Sequence, residues 1–177
     1  FALALRLGAN GLESDVWITR DGICVLDHDG VVKNRFRSRP IAEFNRTELP
    51  QWIPTVSDLI ALIDSEIHIS LDVKDTHAMP GLVDLLMSQQ RCSQYWLCHP
   101  GVKFLQQWVG RVGAINLVHS TRLSAMKGGP ERYAASLAEM GVRCVNMPFA
   151  DWNGGLVALF HRFNIYAFGW NLQFPEV

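Results

Sequence analysis

The chain has 177 residues, 49% of them apolar, which is enough to bury a sizeable core and fits one domain over residues 1–177 better than two. A formal charge of −1 with 19% charged residues provides no general basic field toward nucleic acid or anionic lipid, so an anionic ligand must be caught locally. No apolar run reaches the ~18 residues of a membrane span, and Cys24, Cys92, Cys98 and Cys144 form no CxxC pair and read as buried thiols.

The opening FALALRL reads as the inside of a helix, with no basic leader and no initiating Met. The expectation is a chain whose true N-terminus lies upstream, placed in the cytoplasm with export left open. The oligomeric state is also left open.

From Gly8 onward, short β-rich apolar runs alternate with segments of helical period, punctuated by Gly, Pro and Asp. Strands are predicted at 11–18, 67–74, 95–99, 114–120, 143–149 and 165–172. Helices are predicted at 55–63, 80–90, 102–109, 130–140 and 154–163. Thr55 and the Gly129-Pro130-Glu131 run supply helix starts, and Gly141 a helix stop. Six β-then-α units favour a TIM-type (β/α)8 barrel over a doubly wound sheet, because no glycine-rich dinucleotide turn follows a strand. Six strands are not eight, so the expected fold is an α/β barrel lacking its first and last strands.

One segment breaks the rhythm. After Thr19-Arg20-Asp21-Gly22, the run from Ile23 to Asp29 reads as a second strand joined by an Asp-Gly turn. This small β-hairpin, inserted after barrel strand 2, would return His28 over the strand before it. The basic stretch from Lys33 to Arg39 reads as a solvated loop.

In Gly11-Leu12-Glu13-Ser14-Asp15-Val16-Trp17, alternation puts Glu13, Asp15 and Trp17 on one face, with the two carboxylates about 7 Å apart on a strand expected to be buried. Such a pair needs basic partners, protons or a metal, and oxygen ligands suit Mg²⁺ or Ca²⁺. Leu71-Asp72-Val73-Lys74 repeats the pattern, with Asp72 and Lys74 sharing a face. They read either as an ion pair at a strand end or as a third carboxylate with a cation for an anionic ligand. His99 and His119 end two later strands, where barrel sites gather; each either touches substrate or is a hydrogen-bonded strand-end residue. His68, His77 and His161 read as surface or loop residues.

The stretch Gly8-Ala9, Glu13-Ser-Asp15, Thr19-Arg-Asp21-Gly22 and His28-Asp29 resembles the glycerophosphodiester phosphodiesterase family, whose pattern is Gly-Ala, Glu-x-Asp, Thr-x-Asp-Gly and His-Asp in that order. Leu71-Asp72-Val-Lys74 and Trp170-Asn171 are similar to later family motifs. The resemblance implies one divalent cation, Mg²⁺ or Ca²⁺, held by Glu13, Asp15 and Asp72. It implies a catalytic role for His28, phosphate contact by Lys74, and a substrate wall at Trp170, with His99 a further substrate-binding candidate from its strand end. The implied reaction is hydrolysis of a small glycerophosphodiester to sn-glycerol 3-phosphate and an alcohol.

Two departures stand against the pattern. The family usually has Glu where this chain has Asp72, and an Asp there resembles sphingomyelinase D-type lipid phosphodiesterases, the alternative reading. The family's His-Arg-Gly motif, which carries the second catalytic histidine, does not occur in the sequence; a metal- and phosphate-binding chain without turnover is the third reading.

Overall fold

The structure, a computed structural model, describes residues 1–33, 37–63 and 66–172. These fall into two compact units, the first comprising 1–97 and 113–115, the second 98–112 and the residues from 116 onward. Part of the basic stretch, residues 34–36, lies outside the described residues.

The first unit opens with helix α1 (Ala2–Arg6) and strand β1 (Gly11–Ile18). β1 buries Leu12 and Val16 on one face and turns Glu13, Asp15 and Trp17 to the other, as the alternation predicts. At its end Thr19 is tied to Asp21 by a 2.6 Å hydrogen bond, and Gly22 takes a left-handed φ of 82° that a side chain would disfavour. The chain can then fold back as β2 (Cys24–Leu26), antiparallel to β1 with Trp17 opposite Val25. The hairpin at Asp21-Gly22 is thus present.

A second two-stranded ribbon follows, β3 (Val31–Lys33) with β4 (Ser38–Pro40), where the sequence suggested only a solvated loop. Neither strand alternates in polarity, so no local signal announces them. A core formed by Val25, Ile41, Leu49 and Ile53, with Trp17, Val32 and Phe44 against it, anchors this region.

Helix α2 (Val56–Leu62) starts at a reciprocal cap: Thr55 accepts from the Asp58 N–H while Asp58 accepts from the Thr55 N–H. Strand β5 (His68–Val73) pairs parallel to β1 with Asp15 level with Asp72. It is followed by α3 (Met79–Met87), which buries Met79, Leu82, Val83 and Leu86. Strand β6 (Tyr95–His99) runs from the first unit into the residues of the second.

In the second unit, α4 (Val102–Gln106) is followed by three parallel strands, β7 (Asn116–Ser120), β8 (Cys144–Pro148) and β9 (Tyr166–Trp170). Helix α5 (Pro130–Met140) joins β7 to β8, and α6 (Gly154–Arg162) joins β8 to β9. The predicted bounds of α5 match the observed ones because both ends are marked: Pro130 at the first turn and Gly141 at a φ of 88° that stops the helix. Ala134 and Leu137 of α5, Val145 and Met147 of β8, and Leu156 and Phe160 of α6 share one core. Truncating Phe160, which is fully buried, would cost about 3–5 kcal/mol.

Each cysteine is a free thiol; Cys24, Cys98 and Cys144 are buried and Cys92 partly so. Burial alone pushes the Cys24 thiol up to about 11, so it stays protonated and unreactive near neutral pH.

Candidate active site

Parallel strands β1 and β5 bring Glu13, Asp15 and Asp72 together so that one carboxylate oxygen from each lies within 4.8 Å of the others. The register accounts for this: Asp72 is the parallel partner of Asp15, and Glu13 is two residues earlier on the same face. Asp72 is the next-to-last residue of β5, Asp15 lies just past the middle of β1 and Glu13 nearer its start. The cluster is more open than the sequence suggested. Glu13 is exposed as a residue, while the side chains of Asp15 and Asp72 are 13% and 23% exposed.

Electrostatics sets Glu13 apart from an ordinary surface carboxylate. Desolvation of its carboxyl, then the charges of Asp72 and Asp15, raise the Glu13 pKa above 4.5 against the opposing pull of Lys74 and His28. Asp72 Oδ1 is buried and has no hydrogen-bond partner, while its other oxygen accepts from Lys74. A buried carboxylate oxygen without a partner, on a residue grouped with two more acids, is unfavourable unless a cation meets it. Three oxygen donors and that orphan fit a hard divalent ion.

Lys74 stands directly after β5, with Nζ 2.9 Å from Asp15 Oδ1 and 3.1 Å from Asp72 Oδ2. Desolvation is the largest single influence on it and favours loss of the proton. Hydrogen bonds and charge from Asp15 and Asp72 together outweigh that and push Lys74 up to about 12. The sequence reading set Asp72 and Lys74 as either an ion pair or partners in anion binding; in the structure they form the ion pair, shared with Asp15.

His28 follows β2. The Asp27 N–H donates to the Asp15 carbonyl at 3.2 Å, so the hairpin does return this segment alongside β1. The imidazole is 93% exposed, with Nδ1 2.8 Å from Asp29 Oδ1, and Asp29 is also paired with Lys33. The Asp29 hydrogen bond, then the charges of Asp15 and Asp29, raise the His28 pKa above 6.5.

His99 and Trp170 belong to the second unit. His99 ends β6, and its Nδ1 accepts the Gly101 N–H at 2.9 Å with the ring 4.4 Å from Phe104. Trp170 ends β9, 38% exposed, with the Arg122 guanidinium 5.4 Å from its ring centre. His119 is buried: Nε2 lies 3.0 Å from the Pro100 carbonyl and Nδ1 2.7 Å from the Tyr133 hydroxyl, so both ring nitrogens are occupied by protein. Of its two readings, the hydrogen-bonded strand-end residue is the one present.

Sequence reasoning passed over Trp17, Asp27 and Gly30, which build the turn under His28. Trp17 Nε1 donates to the Asp27 carbonyl at 2.8 Å, and Asp27 Oδ2 accepts the N–H groups of Asp29 and Gly30. The Asp-x-Asp-Gly spelling at 27–30 is a turn signal that could have found two of them.

Strand–helix alternation along a parallel sheet, with acids brought together from the paired strands β1 and β5, is the arrangement of an α/β barrel enzyme. A family model described as the glycerophosphoryl diester phosphodiesterase family matches residues 1–176, and the chain belongs to that family. Its fold is the TIM-type barrel, of which this chain forms the strand–helix series described above.

Solved structures agree on the fold. A candidate glycerophosphoryl diester phosphodiesterase from Silicibacter pomeroyi DSS-3 superimposes with a TM-score of 0.84 at 16% identity, over 99% of this chain and 77% of that one. Glycerophosphodiester phosphodiesterase from Thermotoga maritima gives 0.81 at 20% identity, over 99% and 79%. An Oleispira antarctica phosphodiesterase, solved with the product sn-glycerol-3-phosphate, gives 0.78 at 16% identity, over 97% and 76%. A search of curated proteins finds no significant match. Among the described residues no helix is long and apolar enough to cross a membrane.

Proposed function

We propose that the chain hydrolyses small glycerophosphodiesters to sn-glycerol 3-phosphate and an alcohol, with Glu13, Asp15 and Asp72 holding one divalent cation, Mg²⁺ or Ca²⁺. The observation that carries this reading is the carboxylate trio, one member of which, Asp72, has an oxygen buried without a hydrogen-bond partner. The product bound in the Oleispira antarctica relative supports the choice of glycerol 3-phosphate. Because one family model spans 1–176, both units are read as parts of a single domain.

A phosphodiester is a resonance-stabilised anion that repels nucleophiles, and a bound divalent ion supplies Lewis-acid neutralisation of its oxygens. Lys74 adds a permanent point charge: with a pKa of about 12 it never loses its proton in the working range. Lys74, held between Asp15 and Asp72 here, would be the group left to face the phosphate if those carboxylates held a cation. His28 moves a proton, to the departing alkoxide or from the attacking water, as an imidazole titrating near neutrality can. His99 and Trp170 are assigned to the substrate wall, Trp170 by its exposed ring.

The test is a substrate panel on the full chain with saturating Mg²⁺ or Ca²⁺, with D15N as control. Glycerol 3-phosphate released from glycerophosphocholine, and lost in D15N, supports the reading. Choline released from sphingomyelin with no glycerol 3-phosphate would move the substrate to the lipid class that Asp72 suggested. Equal turnover by D15N would remove the cation site.

A further inference from the structure

The side chain proposed to move the proton has almost nothing to hold it. His28 is 93% exposed and, among the described residues, its ring bonds only the neighbouring Asp29, which is itself shared with Lys33. A solvated imidazole on a free chain would sample many positions, and proton transfer tolerates little misplacement. The place of His28 is therefore set by the main chain at 27–30.

That main chain is fixed from three sides. The indole N–H of Trp17 donates 2.8 Å to the Asp27 carbonyl. The Asp27 carboxylate closes the turn by accepting the N–H groups of Asp29 at 3.0 Å and Gly30 at 2.7 Å. The Gly30 carbonyl then accepts from the Ile41 N–H at 2.9 Å. Gly30 has a left-handed φ of 68°, and a Cβ built on it would meet the Trp17 ring at 2.4 Å. The turn is thus pressed onto the indole face while the indole edge holds its first carbonyl.

Trp17 is well placed for this because it alternates onto the face of β1 that carries Glu13 and Asp15. Its ring packs against Val25, Ile41, Leu49 and Ile53, which keeps the indole from turning. One strand therefore carries two of the proposed cation ligands and the residue that locates the proposed acid–base group.

We infer that Trp17 and Gly30 are positioning residues for His28, locking the turn at 27–30 against β1 so that the imidazole stands at a fixed distance from the carboxylate trio. The inference rests on the proton-transfer role of His28 proposed above. Both act through the main chain at 27–30, by the Trp17 hydrogen bond and the close packing of Gly30.

Trp17→Phe keeps an aromatic ring but removes the N–H donor together with part of the indole, so its melting temperature is read alongside to separate loss of the link from loss of packing. In the full chain it should lower kcat on glycerophosphocholine about 10-fold or more, with KM and calorimetric Ca²⁺ affinity within about twofold of wild type. The His28 ring resonances should shift or broaden while those of exposed His77 stay in place. In an H28A background, W17F should cost nothing further, because a residue acting through the imidazole has no effect once the imidazole is gone. Gly30→Ala should behave alike, and its melting temperature separates misplacement from unfolding.

Wild-type kcat in W17F alongside a crippled H28A would overturn the inference alone. The same fractional loss from W17F with and without His28 would overturn it too, by showing a purely structural role. Full turnover by H28A would remove the histidine's role and the inference together.

Discussion

Lys74 Nζ lies 2.9 Å from Asp15 Oδ1, so the cation that follows β5 is held by an acid on β1. It neutralises Asp15 and Asp72, the charge that the proposed divalent ion would compete for. Lys74→Met should therefore tighten Ca²⁺ binding severalfold while lowering kcat, because the competing charge and the phosphate contact are lost together. Calorimetry and initial rates separate the two effects. Weaker Ca²⁺ binding in K74M would mean that Lys74 organises the carboxylates and does not compete for them.

Glu13 gives a pH dependence whose sign differs with and without the ion. Its folded pKa is raised above 4.5, by desolvation first and the two aspartates next, so the folded state takes up its proton at higher pH than the unfolded chain does. Its contribution to stability is therefore favourable below 4.5 and is lost as pH rises through the raised value. Cation binding needs the ionised form, so Ca²⁺ should raise the melting temperature more at pH 7 than at pH 5. Glu13→Gln should raise the melting temperature of the ion-free chain at pH 7 and remove most of the Ca²⁺ effect. An E13Q protein with an undiminished Ca²⁺ shift would exclude Glu13 as a ligand.

Asp29 tunes His28. Its hydrogen bond is the largest of the influences that raise the histidine, ahead of the charges of Asp15 and Asp29. Asp29→Asn should lower the His28 pKa, moving the corresponding limb of the kcat–pH profile to lower pH. The direction is the same whether His28 gives or takes the proton. A limb that stays put would assign it to another group.

Much of this site was legible because β-strand alternation is a strict rule: Glu13-x-Asp15 and Asp72-x-Lys74 share faces on spacing alone. Helix α5 was legible for the same kind of reason, with glycine at both ends and Pro130 between. What the sequence could not carry is which element a side chain crosses to. Lys74 reaching β1, the indole of Trp17 reaching the Asp27 carbonyl, and Tyr133 reaching His119 are all set by register and packing. The β3–β4 ribbon escaped notice because Val31-Val32-Lys33 and Ser38-Arg39-Pro40 lack alternation and are held by a core that forms only after folding. Burial of the acids was overestimated for Glu13, since apolar neighbours in sequence do not reveal that its own face opens to solvent.

The last prediction concerns His119, whose ring is locked in one protonation state. A carbonyl can only accept, so Nε2 carries the hydrogen given to Pro100, and Nδ1 must then accept from the Tyr133 hydroxyl. Desolvation holds the imidazole below its usual 6.5; the Pro100 bond opposes this and the charge of His99 adds to it. A folded histidine with a depressed pKa refuses a proton that the unfolded chain accepts. The unfolded state thus gains protons first as the solution is acidified, and this residue's contribution to stability is lost as pH falls from 6.5 through the lowered value. His28 works in the opposite sense, so the total slope mixes both and only a variant isolates His119. His119→Gln keeps an acceptor and a donor but cannot titrate. Urea unfolding at pH 7.5 and 5.5 should show a smaller loss of stability on acidification in H119Q than in wild type. Tyr133→Phe, which leaves Nδ1 buried without its donor, should cost about 1–3 kcal/mol at pH 7.5. Equal losses in wild type and H119Q would show that the buried imidazole is already charged in the folded state, and that its hydrogens are arranged the other way round.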